Sequence, residues 1–330
     1  DPRSAHQGRE VAVATVTTSA AQLRSIESHV LARKQRSLWQ DAWWRLRRNK
    51  AAMVGLAIIA LAAFCAIFAP TIAPFDPTAI DTKANNMDPF WVSSPYHDPR
   101  YLLGSDQLGR DILSRLIWSS RISLVVGLVP TMLVGTIGVS LGLVAGYLGG
   151  WIDNLLMRFT DVVYAFPDLL FVIIIMATLR NTWLGDIMGG LVLIFAALAV
   201  VSWVGLARLV RGQVLSLKEK EFVEAARATG VPTKRIMFRH LLPNALAPVI
   251  VSLAFAIPGA MLAESVLSFI GIGIRPPTAT WGVMINEGFV VFSQSPWPVL
   301  LPAICISVVM LAFTFVGDGL RDALDPRMKI

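Results

Sequence analysis

Charged side chains are scarce in this sequence: Asp, Glu, Lys and Arg make up 15% of 330 residues, against 55% hydrophobic ones. Soluble domains carry about 25% charged residues, so a water-facing surface around the whole chain is excluded and the bilayer is the solvent to consider first. Cysteine is nearly absent. Cys65 and Cys305 each sit inside an apolar run, which argues against a disulfide framework or a cysteine metal site and leaves two small buried hydrophobes. The four histidines, His6, His29, His97 and His240, all lie outside the apolar runs. Gly138–Gly142 matches G-x-S-x-G, but a serine nucleophile needs a base within reach, and the pattern falls inside an apolar run, so hydrolysis is not expected. No G-x-x-x-x-G-K-S/T occurs, so the chain has no P-loop for ATP. The net charge of +7 is scattered along the edges of apolar runs, which does not make a nucleic-acid surface.

What is present is apolar length. A spanning helix needs about 20 mostly apolar residues to cross about 30 Å of hydrocarbon. Six stretches qualify: 51–73, 122–147, 162–179, 187–207, 245–274 and 299–319, the fifth interrupted at Pro258. They predict an all-α integral membrane protein with six transmembrane helices in one membrane domain over 51–330. The first run is too long and too far along the chain for a cleaved signal. Sixteen Lys and Arg flank the spans on the side of the N-terminus and seven on the other, which puts both termini in the cytoplasm.

Residues 1–50 form a cytoplasmic segment of two parts. The first 38 are polar without a sustained period and read as a mobile tail. Trp39, Trp43 and Trp44, followed by "RLRRNK", read as a short helix at the lipid headgroups. Residues 74–121 are the largest extracytoplasmic loop. Within it a helix capped by Ser105 or Asp106 is expected to carry Leu108, Ile112, Leu113, Leu116 and Ile117 on one face into the second span. Gly138, Gly142 and Gly146 make a four-residue stripe suited to close helix packing. Arg158 and Asp161 read as anchors of the third span, Trp281 and Trp297 as interfacial anchors.

Between two spans lies a polar island, 208–244, with eight basic side chains. Immersing them at roughly 2.5 kcal/mol each would cost about 20 kcal/mol, so the island belongs in the cytoplasm. Its stretch from Leu217 to Thr229 contains helix formers throughout, Gly230 suits a left-handed cap and Pro232 a second helix start. Two short helices meeting at Gly230 are expected. Ala225, Ala226, Ala228 and Gly230 would let another backbone approach, with Glu221, Glu224 and Arg227 around them.

The pattern Glu224-Ala225-Ala226, three residues, Gly230, then Leu242-Pro243 resembles the EAA loop of permease subunits of ATP-binding-cassette (ABC) importers. His240 departs from that pattern, standing where an apolar residue is usual, although "FRHLLPNAL" is similar to the peptide-importer branch. Three further stretches resemble the C-type subunit of the oligopeptide, dipeptide and nickel importers: "LGSDQLGRDILSRLIWSSRISLVVG" (103–127), "ESVLSFIGIGIRPPTATWG" (264–282) and "GDGLRDALDPR" (317–327). The resemblance spans about residues 45–328. It implies a type I ABC importer permease fold in a bacterial inner membrane, a coupling helix in the island, and ATPase contacts at Glu221, Glu224, Ala225, Ala226, Arg227, Gly230, His240 and Pro243. It also implies partners: a second, homologous permease subunit in a heterodimer, two ATPase subunits that bind ATP and Mg, and an extracytoplasmic peptide-binding protein. This chain itself would hold no cofactor and be no enzyme.

Glu264 is the anomalous carboxylate in an apolar run. It reads either as part of a substrate pathway with Ser265 and Ser268, or as a helix end already near the outer interface. Peptide is the expected solute, because no His or Cys cluster in the spans would hold a soft metal. A related importer of nickel or another small solute remains the alternative, and an ion-coupled secondary transporter the more distant one.

Overall fold

The computed structural model describes residues 38–324, and the expected N-terminal tail and the residues after Leu324 lie outside them. Among the described residues the chain is helical, with two isolated bridges and no strand. Five helices are long and apolar enough to cross a membrane, or six if one bent pair counts as a single span.

A division between units falls between Trp44 and Arg45. Helix α1 (Leu38–Arg48) leaves Trp43 and Trp44 about half exposed and carries Arg45, Arg47 and Arg48 in its last turn. The basic C-terminal turn complements the helix dipole. Helix α2 (Lys50–Ile72) follows at once, with the Asn49 side chain accepting from the Ala52 N–H as its cap. Its buried positions are small, Ala52, Gly55, Ala62, Ala66 and Ala69, so it packs backbone to backbone, as small residues allow in lipid.

Helix α3 (Ile112–Leu148) has 37 residues, about 55 Å at 1.5 Å per residue, and therefore outlasts the hydrocarbon layer. Here the structure corrects the sequence. The cap is neither Ser105 nor Asp106 but Asp111, whose Oδ2 accepts from the Ser114 N–H at 2.7 Å and its hydroxyl at 2.6 Å. Asp106 instead accepts from the N–H groups of Leu108 and Arg110 and closes a turn. Leu108 thus lies outside the helix and is exposed.

The third predicted span, 162–179, is not one helix: it starts in the last turn of α4 (Gly150–Tyr164), breaks, and continues as α5 (Asp168–Leu179), with the two helices bent by 78°. Pro167 disfavours a helical conformation at Phe166, and the chain restarts at Asp168. Helix α6 (Leu191–Leu217) begins after left-handed Met188, Gly189 and Gly190 and runs ten residues beyond its predicted end at 207. The glycine stripe of α3 lies against it: a Cβ on Gly142 would stand 2.5 Å from the Ala207 carbonyl oxygen, and one on Gly138 or Gly146 3.0 Å from those of Trp203 or Arg211.

The island contains helix α7 (Glu221–Ala228), a turn at Thr233–Arg235 and a π-helical segment, Ile236–Leu241, leading into α8 (Leu242–Phe269). The predicted helix from Leu217 is broken at 218–220, although nothing local breaks it. Tertiary packing decides here: only after that turn do Val223 and Ala226 reach the core formed by Val210, Val214, Ile236, Met237 and Leu241. Helix α8 continues through Pro258, which is buried, and ends at Phe269 rather than 274. Two further helices complete the chain, the short α9 (Trp281–Phe289) and α10 (Trp297–Leu324).

Candidate functional site

Three arrangements stand out: the island, a cavity enclosed by four helices, and a clamp around α9. Helix α7 closes with a Schellman motif, in which the Val231 N–H bonds the Ala226 carbonyl at 3.1 Å and the Gly230 N–H bonds that of Arg227 at 2.9 Å. Gly230 supplies the required φ of +75°. Of the sequence-predicted coupling residues, Glu221, Glu224, Ala225 and Gly230 are exposed on one small surface, Pro243 is exposed at the start of α8, and His240 is half-buried in the π segment. Ala226 faces inward with Val223. Arg227 leans back toward the spans, its guanidinium 5.4 Å from the Tyr147 ring centre. Phe222 and Phe238, unremarked in the sequence, add exposed aromatic area.

Two ion pairs brace the same end of the molecule. Arg211 grips Asp153 with both nitrogens at 2.6 Å, and Arg208 reaches Asp161 at 2.7 Å. The second pair is exposed, and such pairs contribute about 0–1 kcal/mol.

The cavity, about 300 Å³, lies between α3, α5, α6 and α8. Thr131, Asp168 and Ser202 are its polar residues, and Ala256, Gly259, Ala260 and Ala263 give α8 a small-residue wall. Asp168 lies inside the predicted span 162–179 and went unread in the sequence, although an acidic residue directly after Pro167 suits a first helical turn. Glu264, Ser265 and Ser268 are buried and do not line this cavity.

Glu264 holds α9 instead. Its Oε1 accepts from the Ser268 hydroxyl at 2.6 Å and the Thr280 hydroxyl at 2.8 Å, while the Thr280 oxygen caps α9 by accepting from the Val283 N–H. At the other end of α9, Glu287 Oε2 accepts from Arg110 at 2.6 Å and Arg115 at 2.7 Å. Asp106 Oδ2 completes a four-member network with the same two arginines at 2.7 and 2.5 Å. Trp281 is not an interfacial anchor: it is buried, and its indole N–H donates to the Leu116 carbonyl. Trp297 is half-buried and donates to Asp88 in the outer loop. The network escaped sequence reading because its members lie 172 and 177 positions apart across the α3–α9 contact.

Comparison with known proteins fits this arrangement. The family described as "Binding-protein-dependent transport system inner membrane component" matches residues 138–330, and that described as "N-terminal TM domain of oligopeptide transport permease C" matches residues 37–89. The "Oligopeptide transport system permease protein OppC" of Haemophilus influenzae is 43% identical over 292 residues, 88% of this chain and 89% of that protein. The protein of the same name from Bacillus subtilis is 39% identical, over 92% and 94% of the two chains. The "Dipeptide transport system permease protein DppC" of Bacillus subtilis is 41% identical, over 93% and 92%. A solved structure titled "Inward facing conformations of the MetNI methionine ABC transporter: CY5 SeMet soak crystal form" overlaps with a TM-score of 0.48 at 17% identity, over 64% of this chain and 96% of that one. With its apolar helices, its folded polar island and its sequence matches along nearly its whole length, the chain belongs to the family of binding-protein-dependent transport system inner membrane components, as an ABC importer permease subunit.

Proposed function

We propose that this subunit forms one half of the pathway of an ATP-driven importer of oligopeptides or dipeptides and receives its driving force through α7. The relatives named for peptide transport support the solute class. The observation that carries the coupling is the construction of the island: its inner face shares one core with α3, α6 and α8, while Glu221, Glu224 and Ala225 stay exposed. A protein docked on that face would move the spans with the helix, because Val223 and Ala226 are packed into one core with them. Separate ATPase subunits would bind ATP and Mg, a second permease subunit would close the pathway, and an extracytoplasmic binding protein would deliver peptide. Both termini then lie in the cytoplasm, in keeping with the basic inner flanks.

The cavity forms part of the pathway in this reading. The Glu264–Ser268–Thr280 contacts tie the start of α9 to α8, which supplies one wall of the cavity. Replacing Glu224 by Lys should leave insertion and folding intact while peptide uptake and ATPase co-purification fall together. Normal uptake with normal ATPase association would refute the coupling role.

A further inference from the structure

We propose that Asp168 receives the cationic parts of a passing solute, the terminal ammonium of a peptide or a Lys or Arg side chain, midway through the membrane. This rests on reading the cavity as pathway. Its depth follows from the helices that build it: Pro130 and Thr131 stand at the middle of α3, Ser202 near the middle of α6, and Ala256 to Ala263 in the central turns of α8. Asp168 is the only charged residue on its wall.

The chemistry of the wall selects a donor. Thr131 already spends its hydroxyl hydrogen on the Gly127 carbonyl at 2.7 Å, so its oxygen is left to accept. The carboxylate accepts only, whereas an ammonium carries three donors and no acceptor. Asp153 and Asp161, on the helix before the bend, are each matched by an arginine. Asp168 has no ion pair among the described residues. An intramembrane carboxylate without a fixed partner, facing a cavity, is costly unless its partner arrives from outside. The Pro167 break gives it that position, because it starts α5 at the cavity instead of burying the residue within a continuous span.

The test uses the complete importer, with its binding protein and ATPases, in vesicles. Uptake is compared for peptides that differ by one Lys-to-Glu exchange, in wild type, Asp168→Asn and Asp168→Glu. Asp168→Asn should slow the Lys peptide about tenfold more than the Glu peptide, the loss of one charge-assisted hydrogen bond, and Asp168→Glu should restore most of the difference. Equal fold-changes for both peptides, or a wild type that takes up no cationic peptide, overturn the proposal. Asp168→Cys is tested in parallel with a water-soluble thiol reagent. Labelling together with equal fold-changes removes the charge role alone, and absence of labelling under turnover removes the pathway reading with it.

Discussion

Removing Glu287 should destabilise this protein more than the loss of any exposed charge. In the native state two carboxylates, Asp106 and Glu287, face two guanidiniums, Arg110 and Arg115, with four contacts of 2.5 to 2.7 Å. The arginine side chains are only 10% and 3% exposed. Glu287→Ala leaves two buried cations sharing one carboxylate. Orphaning a buried charge costs about 3–5 kcal/mol, roughly two to four orders of magnitude in the unfolding equilibrium. The measurement is reversible unfolding in mixed micelles, followed by tryptophan fluorescence. The double replacement Arg110→Met with Glu287→Met should recover most of the loss, because it leaves one balanced pair, Arg115 with Asp106, in a better-packed apolar setting. A Glu287→Ala variant within about 1 kcal/mol of wild type, at unchanged slope, would show that water reaches the network and that the clamp on α9 carries little energy.

Three further outcomes follow from the same geometry. Gly142→Ala places a methyl group 2.5 Å from the Ala207 carbonyl oxygen, and the forced separation of α3 and α6 should cost about 1–3 kcal/mol in the same unfolding assay. At Gly230 nothing lies within 4 Å of a built Cβ, so Gly230→Ala should cost only the left-handed backbone penalty, about 1–2 kcal/mol, with Gly230→Asn less affected; amide exchange of α7 reports it. Burial pushes the Asp111 carboxyl above its ordinary 3.8, and its Oδ1 is buried without a partner. The folded state therefore holds that proton more tightly than the unfolded chain, and stability falls as pH rises above about 4. Asp111→Asn, which keeps the cap, should be at least as stable as wild type at pH 7, with its advantage shrinking below pH 4, whereas Asp111→Ala should lose about 1 kcal/mol.

Apolar run length and the inner excess of Lys and Arg made the spans and the island legible, since both reflect what the bilayer accepts. The glycine stripe was legible for the same reason, as its spacing alone defines a helix face. The breaks were harder. The turn at 218–220 has no local signal and exists because Val223 and Ala226 are drawn into a distant core. Ser105 and Asp106 were the caps read from sequence, and only the fold of the preceding loop gives the helix to Asp111 and Asp106 to the arginines. The partners of Glu264 lie four and sixteen positions away, close enough to guess the first and too far for the second.

Helix α3 begins beside the Asp106–Arg115 contact and ends beside the island, where Leu143 shares a core with Val223. One uninterrupted rod thus joins the arginine–carboxylate network at one tip to the island at the other. Tilting such a rod about its waist, where Gly135 and Gly138 meet the side chains of Leu253 and Leu206, moves the tips in opposite directions. In the proposed coupling, a push at one tip would therefore reach the other within the length of a single element, with no relay of side chains in between.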